Sequence, residues 1–203
     1  EFTADTKTWC FDCGKSVVKV SNPKPACGIC GNENVVDYNH VEDFSTSDKW
    51  PTVFVIDPHS RKPHMFMWIQ IDPADDWWVV AEGNCDKDCV DTRTEVHRIE
   101  KEMGLLIARR LMDPNFGASP SGQKREITWQ DEFGRAGLFC ELAEDVDVGR
   151  GRINQFLKPD KDTLRPRLHI HARCKDTVYQ LQRFVWDNFS KRVDRDLKQT
   201  PKD

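Results

Sequence analysis

The spacing of apolar and polar positions predicts a group of strands in the middle of the chain. Residues 52–56 are apolar and mostly β-branched, and Asp57 ends the run, which is typical of a buried strand. Residues 64–71 and 77–81 have the same strand-like character, and turn-forming residues at 72–76 separate them. Because the connections are short, the three strands are predicted to form an antiparallel meander.

Residues 94–103, after the third strand, are predicted to form a helix. Val96, Ile99 and Met103 fall on one helical face, and Gly104 ends the pattern. Residues 105–112 then predict a fourth strand that ends on Asp113. The remaining elements are predicted to be a helix at 124–133, a strand at 137–142, a helix at 151–157, a strand at 167–171 and an amphipathic helix at 177–197.

Three antiparallel strands, a helix, a strand and further α and β units follow each other in the order of ribonuclease H-like folds. In that fold the fourth strand pairs with the first. We therefore predict an α/β domain over residues 50–203, built as a ribonuclease H-like mixed sheet flanked by helices. The chain has 203 residues with seven tryptophans and eleven phenylalanines, which is enough to bury a sizeable core.

Two matched cysteine pairs open the chain. Cys10 with Cys13 and Cys27 with Cys30 have CxxC spacing, and a glycine follows each pair directly. Each CxxC turn brings two thiolates to one tetrahedral ion, and the glycine accommodates the backbone of the knuckle. We predict a structural Zn²⁺ in a small ribbon within residues 1–49, which include an irregular polar connector from residue 37. Two disulfides, or reduced thiols in a core, are the alternatives.

The other cysteines and the hydropathy of the chain bear on the cellular compartment. Cys85, Cys89, Cys140 and Cys174 do not form the framework of a secreted disulfide-rich protein, which favours a reducing compartment. Cys85 and Cys89 are either ligands of a further metal site or partly buried free thiols. No stretch reaches the roughly 18 apolar residues of a membrane span, so we expect no membrane partner.

The net charge of −4 conceals an asymmetry along the chain. Residues 150–203 contain fourteen Lys and Arg against seven Asp and Glu, whereas residues 1–149 contain sixteen against twenty-seven. A basic end beside an acidic body suits a protein that holds a polyanion near a group of carboxylates. A solvated amphipathic helix is the alternative. The candidate DNA contacts are Arg150, Arg152, Lys158, Arg165 and Arg167.

Two acidic residues end predicted strands. Asp57 ends the first strand and Asp113 follows the fourth, and each precedes a proline. If those strands are neighbours, the two carboxylates converge. Two-metal nucleases use such carboxylates to hold Mg²⁺ or Mn²⁺ ions about 3.5–4 Å apart. The alternative is that each Asp-Pro pair only begins a turn.

Further ligands are less distinct in the sequence. The C-terminal helix of such folds normally supplies a third acid, and several aspartates near the end of this chain are available. Histidines beside the strands are candidates for metal or phosphate contact, with a surface or structural role as the alternative. Two basic residues after Asp57 are candidates for phosphate contact. These residues are Asp187, Asp194, Asp196 and Asp203; His59, His64, His169 and His171; and Arg61 and Lys62.

Several short motifs resemble the C-terminal nuclease domain of the large terminase subunit of tailed bacteriophages. The resemblance covers residues 50–198. It includes residues 149–157 and the final predicted helix with Tyr179, Phe184 and Trp186. The motifs that carry it most clearly are Val55-Ile56-Asp57-Pro58-His59 with Lys62-Pro63-His64, Leu111-Met112-Asp113-Pro114, and Pro166-Arg167-Leu168.

The resemblance implies a ribonuclease H-like nuclease that cuts concatemeric viral DNA during genome packaging with two divalent ions. It implies that Asp57 is the ligand from the first strand and Asp113 the ligand from the fourth. The implied partners are double-stranded DNA, the terminase ATPase domain, the small terminase subunit and the portal, in the cytoplasm of an infected bacterial host.

The sequence departs from this family pattern in three respects. It has no GxxxxGK[ST] motif for an ATPase, and the family's third aspartate is expected near or beyond residue 203. The ribbon is not general to the family. Two other functions therefore remain alternatives: a non-catalytic zinc-ribbon module for DNA binding or assembly, and a resolvase or transposase type of nuclease.

Overall fold

A computed structural model describes residues 2–21, 24–121, 126–144, 147–186 and 199–201, with the backbone alone at 147–150, 184–186 and 199–201. The described residues form both β-strands and α-helices, as predicted. In chain order they are β1 (Lys7–Cys10), β2 (Lys15–Val17), β3 (Lys19–Ser21), β4 (Pro25–Cys27), β5 (Val35–Tyr38), β6 (Val41–Glu42), β7 (Pro51–Asp57), β8 (His64–Ile71), β9 (Trp77–Cys85), α1 (Cys89–Met103), β10 (Leu106–Met112), α2 (Pro114–Gly117), α3 (Trp129–Arg135), β11 (Glu141–Leu142), α4 (Asp147–Phe156), β12 (Leu168–His171), α5 (Lys175–Arg183), β13 (Phe184–Trp186) and β14 (Gln199–Pro201).

The largest sheet has seven strands in the order β11-β10-β7-β8-β9-β12-β6. Strand β8 is antiparallel to both of its neighbours, whereas β10 runs parallel to β7 with Met112 beside Ile56. The order β9-β8-β7-β10-β11 is the predicted ribonuclease H-like order, in which the fourth strand pairs with the first. The predicted fold class is confirmed. All strands except β8 therefore end at one edge of the sheet, which we call the carboxyl edge.

Two short strands extend this sheet beyond β9. Strand β12 pairs with β9 and strand β6 with β12, both in parallel. The prediction that residues 37–50 are irregular is wrong in part, because β5 and β6 include residues of this segment. The Ile170 N–H donates to the carbonyl oxygen of His40 at 2.7 Å, and this bond brings β6 onto the sheet edge. The proposed boundary after residue 49 stays a prediction, although β6 lies before it.

Helices cover both faces of the sheet. Helices α1 and α3 pack on one face, and α4 and α5 lie on the other, so that a hydrophobic core forms on each side. The first core includes Phe54, Ile56, Phe66, Trp68, Val80, Val96, Met112 and Phe133. The second core includes Val79, Phe156, Leu157, Leu168, Ile170 and Cys174, with Val178 and Leu181 of α5 packed against it.

Several predicted boundaries differ from the structure. Helix α1 begins at Cys89, because the Asp88 carboxylate accepts the N–H groups of Val90 and Asp91 and caps it. Helix α3 occupies residues 129–135 instead of 124–133, of which 124 and 125 lie outside the described residues. Strand β11 has only two residues instead of the predicted 137–142. The predicted strand does not begin at Gly137, because the chain turns there with a φ of 88°.

The predicted C-terminal helix is also shorter than expected. Helix α5 ends at Arg183, and residues 184–186 form β13, which pairs with β14. Consecutive aromatic and β-branched side chains in Phe184–Trp186 favour a strand over a helix. The rest of the predicted helix, with Asp187, Asp194 and Asp196, lies outside the described residues, as does Asp203. No helix in the described part of the chain combines the length and apolar character of a membrane span.

A buried histidine connects the N-terminal ribbon to the main sheet. The Nε2 atom of His40 donates to the carbonyl oxygen of Leu157 at 3.0 Å, and its Nδ1 atom accepts the Thr3 N–H at 3.0 Å. Tyr38 packs its ring edge-on against the same imidazole. Burial lowers the pKa of His40 to about 4. The ribbon is therefore fixed to the end of α4 through a neutral side chain.

Candidate metal centres

The four cysteines of the two CxxC pairs converge on one point. All four sulfur atoms lie within 4.8 Å of one another. The Sγ atoms of Cys10 and Cys30 are 3.8 Å apart, and so are those of Cys13 and Cys27. A disulfide has sulfur atoms about 2.05 Å apart, so these contacts are between free thiols. The alternative of two disulfides does not describe this cluster.

The spacing of the sulfur atoms fits a tetrahedral ion. With Zn–S bonds of about 2.3 Å, two ligands of a regular tetrahedron lie about 3.8 Å apart, which is the distance found in both pairs. Strands β1 and β4 each end in the first cysteine of a pair, and the two knuckles face each other across the ribbon. The cluster can therefore hold a metal ion with four sulfur ligands.

The backbone of both knuckles supports thiolate ligands. Gly14 and Gly31 have φ values of 65° and 75°, in the left-handed region that glycine adopts without strain. The N–H groups of Cys30 and Ile29 lower the pKa of the Cys27 thiol to about 6. Hydrogen bonding by Cys30 is the first cause that raises the pKa of Cys13 to about 12. The backbone N–H groups of the second knuckle thus favour the thiolate form of Cys27.

The two predicted carboxylates are neighbours at the carboxyl edge. Val55 pairs with Leu111 and Ile56 with Met112, so Asp57 and Asp113 are the next residues in register. The Asp113 N–H donates to the carbonyl oxygen of Ile56 at 3.0 Å. Adjacent strands lie about 4.8 Å apart, which leaves the two side chains within reach of a shared ion.

A short helix holds Asp113 in a fixed orientation. Its Oδ2 atom accepts the Phe116 N–H at 2.7 Å and so caps α2, which begins with Pro114. Gly117 is buried against Met112, where an added Cβ would lie 2.9 Å from the Met112 side chain and 2.7 Å from that of Leu142. Glycine thus allows α2 to lie against the end of β10. One carboxylate oxygen of Asp113 is used for capping, which leaves the other for a ligand.

The electrostatics of the pair are those of two acids that repel each other. Burial of the carboxyl group raises the pKa of Asp57, the negative charge of Asp113 raises it further, and His59 opposes both effects. A divalent cation between the carboxylates would remove this repulsion. Oxygen ligands of this kind suit Mg²⁺ and Mn²⁺. In the part of the chain that the structure describes, the cysteine cluster is the one group of three or more converging potential ligands, so the aspartates form a pair.

The predicted histidines have different surroundings. His64 is buried, with its ring about 5 Å from the rings of Trp129 and Phe133, and burial lowers its pKa. His169 stacks on a tryptophan of β9 and bonds to Glu42 at 2.8 Å. His171 is also buried, on β12. The burial and contacts of these three histidines are those of structural residues. His59, in contrast, lies in the turn after Asp57.

The predicted DNA-contact arginines lie at the other edge of the sheet from the carboxylates. Arg167 bonds to Asp76 at 3.0 Å and also to Asp75, in the turn between β8 and β9. Arg152 and Arg165 contact the same two aspartates. Because β8 is antiparallel to β7, this turn lies level with the start of β7. The other end of β7, where Asp57 lies, is about 20 Å away at roughly 3.3 Å per residue. The structure therefore does not bring these arginines together with Asp57 and Asp113.

The other predicted basic contacts follow the same division. Lys158 is exposed just after α4, close to Arg167, whose N–H donates to the carbonyl oxygen of Phe156. The side chain of Arg150 lies outside the described residues. Other exposed basic residues stand at the carboxyl edge: Arg61 and Lys62 in the turn after β7, and Arg173 and Lys175 after β12.

Two adjoining cavities lie beside β10 and α3, away from both candidate metal centres. Their volumes are about 270 and 440 Å³, and both are lined in part by Phe139 and Cys140. Phe139 is 77% exposed there. Burial raises the pKa of the Cys140 thiol to about 12, so this cysteine is not a reactive thiolate.

The fold resembles that of one class of protein, the nuclease domains of phage large terminases. The P22 large terminase nuclease domain superimposes with a TM-score of 0.53 at 12% identity, over 76% of this chain and 78% of that one. Two crystal forms of the large terminase from a thermophilic bacteriophage also give TM-scores of 0.53, at 16% and 15% identity.

This chain corresponds to only part of the large terminase from the thermophilic phage. The matches to the thermophilic phage protein cover 73% of this chain and 35% of that protein, so this chain spans about a third of its length. No protein-family model and no curated protein sequence matches the chain. At these identities the likeness shows the ribonuclease H-like fold and confirms the predicted resemblance.

One element of the site was missed in the sequence. Phe116 contacts both loops of the aspartate pair, through its N–H to Asp113 and its ring to His59. The signal was present as an aspartate followed by proline, which is typical of a helix N-cap with Pro at the first helical position. This signal was interpreted only as a turn or as a ligand.

Proposed function

We propose that this chain is a metal-dependent DNA endonuclease domain that cuts concatemeric viral DNA during genome packaging. The observation that carries the proposal is the register between β7 and β10, in which Asp57 and Asp113 follow paired residues at the carboxyl edge of a ribonuclease H-like sheet. The likeness to the P22 large terminase nuclease domain supports the same function.

In the proposed mechanism Asp57 and Asp113 hold Mg²⁺ or Mn²⁺. When bound, two such ions supply an activated water for attack on the phosphodiester and stabilise the leaving oxygen. The protein contributes the spacing of the carboxylates, because the backbone bond from Asp113 to Ile56 fixes one strand end against the other. Helix α2 keeps the Asp113 side chain in one orientation by using one of its oxygens as a cap.

Cys10, Cys13, Cys27 and Cys30 hold a structural Zn²⁺ in this proposal. A closed site with four sulfur ligands leaves no position for a substrate, so its contribution is to folding. The ribbon has only a small hydrophobic core, so a bound ion would supply folding free energy that the core does not.

The proposed partners follow from the same resemblance. They are double-stranded DNA, an ATPase domain of the terminase type, a small terminase subunit and the portal, in the cytoplasm of an infected bacterium. DNA would cross the carboxyl edge, where Arg61, Lys62 and Arg173 are exposed. The charges at this edge suit binding through phosphates with little dependence on base sequence.

Incubation with supercoiled plasmid tests the nuclease function. Zinc-loaded protein with Mn²⁺ should convert the plasmid to nicked and linear forms, and EDTA should stop the conversion. Plasmid that remains supercoiled with Mn²⁺ and with Mg²⁺, over a range of protein concentrations, would contradict the proposal.

A non-catalytic module for DNA binding or assembly is the second candidate. It is favoured by the fact that only two carboxylates converge among the described residues, whereas two-metal sites use more. The two candidates differ in one measurement. A scaffold would bind plasmid with the salt dependence of phosphate contacts but leave it supercoiled.

A further inference from the structure

The turn that follows Asp57 is organised around the ring of His59. Its Nδ1 atom accepts the N–H of Arg61 at 3.0 Å and the N–H of Lys62 at 3.1 Å. Because two amide groups donate to this nitrogen, the ring proton is on Nε2. The side chain therefore supplies an acceptor for residues two and three positions ahead, as the side chain of Asn or Asp does in an Asx turn.

The same ring contacts the helix that follows Asp113. The ring centroids of His59 and Phe116 are 5.1 Å apart, with an angle of 33° between the ring planes. The N–H of Phe116 donates to the Asp113 carboxylate. One side chain thus connects the turn beyond the first acid to the residue that orients the second acid.

The backbone of this turn has a second attachment. The N–H of His59 donates to Nδ1 of His64 at 3.1 Å. His64 is buried beside Trp129 and Phe133 of α3, so its position is fixed by the core. The turn is therefore held from three directions: from its own backbone amides, from α2 and from α3.

We propose that His59 is a positioning residue of the aspartate pair. Its acceptor nitrogen fixes the turn after Asp57, and its ring fixes that turn against Phe116, so that the two carboxylates keep the spacing that a shared divalent ion requires. The proposal rests on the proposed metal-dependent nuclease function. His59 acts through the two loops and not as a ligand.

Three substitutions separate the two contacts. His59→Asn keeps an acceptor atom close to the position of Nδ1 but removes the ring from Phe116. His59→Phe keeps a ring and removes the acceptor, and His59→Ala removes both. His97→Ala is the matched control, because His97 is an exposed histidine on α1 outside the site.

Amide hydrogen exchange measured by NMR gives the structural result. The Arg61 and Lys62 amides should be protected in the unaltered protein and in His59→Asn, and should exchange at least about tenfold faster in His59→Phe and His59→Ala. Cleavage of plasmid at saturating Mn²⁺ gives the functional result. We expect kcat to fall about tenfold in His59→Asn and His59→Phe and about 100-fold in His59→Ala, with KM for DNA changed less than kcat.

Mn²⁺ affinity separates this proposal from the nuclease function itself. In zinc-loaded protein without DNA, calorimetry should show Mn²⁺ binding about tenfold weaker in His59→Ala than in His97→Ala, as expected when a supporting residue of a metal site is lost. This result would support positioning even if plasmid were not cut. Unchanged Mn²⁺ affinity in His59→Ala, or unchanged kcat in His59→Phe despite loss of amide protection, would overturn the proposal.

Discussion

Asp113 donates its backbone N–H to the carbonyl oxygen of Ile56, so the hydrogen-bond ladder between β10 and β7 continues past the last residue of β10. This bond places Asp113 beside Asp57, although the two acids are 56 positions apart in the sequence. The pair is thus a product of sheet topology, and neither Asp-Pro dipeptide alone would have indicated it. Because β10 and β7 each pair with a neighbour on both sides, hydrogen bonds hold the backbone of both strands at this point.

Removal of either carboxylate should abolish cleavage and leave the domain folded. Asp57→Asn and Asp113→Asn should each lower the rate of Mn²⁺-dependent plasmid nicking by at least about 100-fold, since loss of a metal ligand costs more than loss of a residue behind one. Asn is also a good N-cap, so Asp113→Asn keeps the bond to Phe116. The pKa of Asp57 is raised, so ionisation near neutral pH opposes folding of the metal-free protein, and this cost disappears as the pH falls through the raised pKa.

The apparent melting temperature checks the second half of this prediction. Without divalent ions at pH 7.5, both variants should melt at or above the temperature of the unaltered protein, because they lose the repulsion between the acids. The control is Asp48→Asn, a change of an exposed acid in the connector. Full nicking activity in Asp57→Asn would remove Asp57 from the site.

The part of the fold that the sequence predicted best was the group of strands that carries the acids. The sequences of β7, β8 and β10 consist largely of apolar residues, with Arg109 and Arg110 as exceptions in β10, and turn residues bound them. These strands can therefore be recognised from the local sequence alone. The same runs led to the order of the sheet and hence to the aspartate pair. Strands β6 and β11 have two residues each, which is too short for any period, and tertiary pairing alone creates them.

Charge counting does not show which of the basic residues near the end of the chain are paired with acids, because their partners are distant in the sequence. Arg167 bonds to Asp76, 91 positions earlier, and the Asp76 side chain is 5% exposed. Arg152 bonds to Asp75, 77 positions earlier. A count over the last quarter of the chain includes these arginines as free charge, whereas the structure pairs them with acids of the first half. The proposed role of His59 is equally hidden in the sequence, because it depends on backbone amides and on the distant ring of Phe116.

Loss of one cysteine should release zinc and loosen the ribbon alone. Cys13→Ser should reduce bound zinc from about one ion per chain to near zero, measured by metal analysis of protein purified without chelator. Amide exchange in residues 7–38 should accelerate, while tryptophan fluorescence of the main sheet stays close to that of the unaltered protein. Cys85→Ser, at a half-buried cysteine outside the cluster, should retain the ion. Zinc retained in Cys13→Ser, or missing from the unaltered protein, would contradict the assignment.

His40 should make the protein sensitive to mild acid. Its pKa falls from 6.5 to about 4 on folding because the ring is buried, so below pH 6.5 the unfolded chain binds a proton that the folded chain does not. Linkage then predicts that the free energy of unfolding decreases as the pH falls from 6.5 towards 4, by about 2 kcal/mol between pH 7.5 and pH 5 from this residue. Urea denaturation at the two pH values measures the change.

The comparison of variants isolates the contribution of His40. His40→Gln should be less stable at pH 7.5 but should lose about 2 kcal/mol less than the unaltered protein on the shift to pH 5. The other buried histidines and the cysteines titrate in both proteins and so cancel. His97→Gln, at an exposed site, should show the same pH dependence as the unaltered protein. Equal pH dependence in all three proteins would mean that His40 titrates normally in the folded state.

The salt dependence of DNA binding should distinguish the two edges of the sheet. If DNA crosses the carboxyl edge, Arg61→Ala with Lys62→Ala should reduce the slope of log K against log salt concentration by about 2, because each phosphate contact contributes roughly one unit. Arg152→Ala with Lys158→Ala removes the same number of charges at the opposite edge and should leave the slope nearly unchanged. Fluorescence anisotropy with a labelled duplex in Ca²⁺ measures both slopes without strong cleavage.

The opposite result would support the basic surface that the sequence predicts. Arg152 already bonds to Asp75, and its guanidinium lies 5.6 Å from the ring centroids of Trp77 and Phe156, so a phosphate would have to compete with these contacts. Arg61 and Lys62 are exposed, and the backbone of their turn is held by His59. DNA at this edge would meet both the basic turn and the aspartate pair. A slope reduced only by the Arg152 and Lys158 changes would place the DNA about 20 Å from the acids and would favour a binding module over a nuclease.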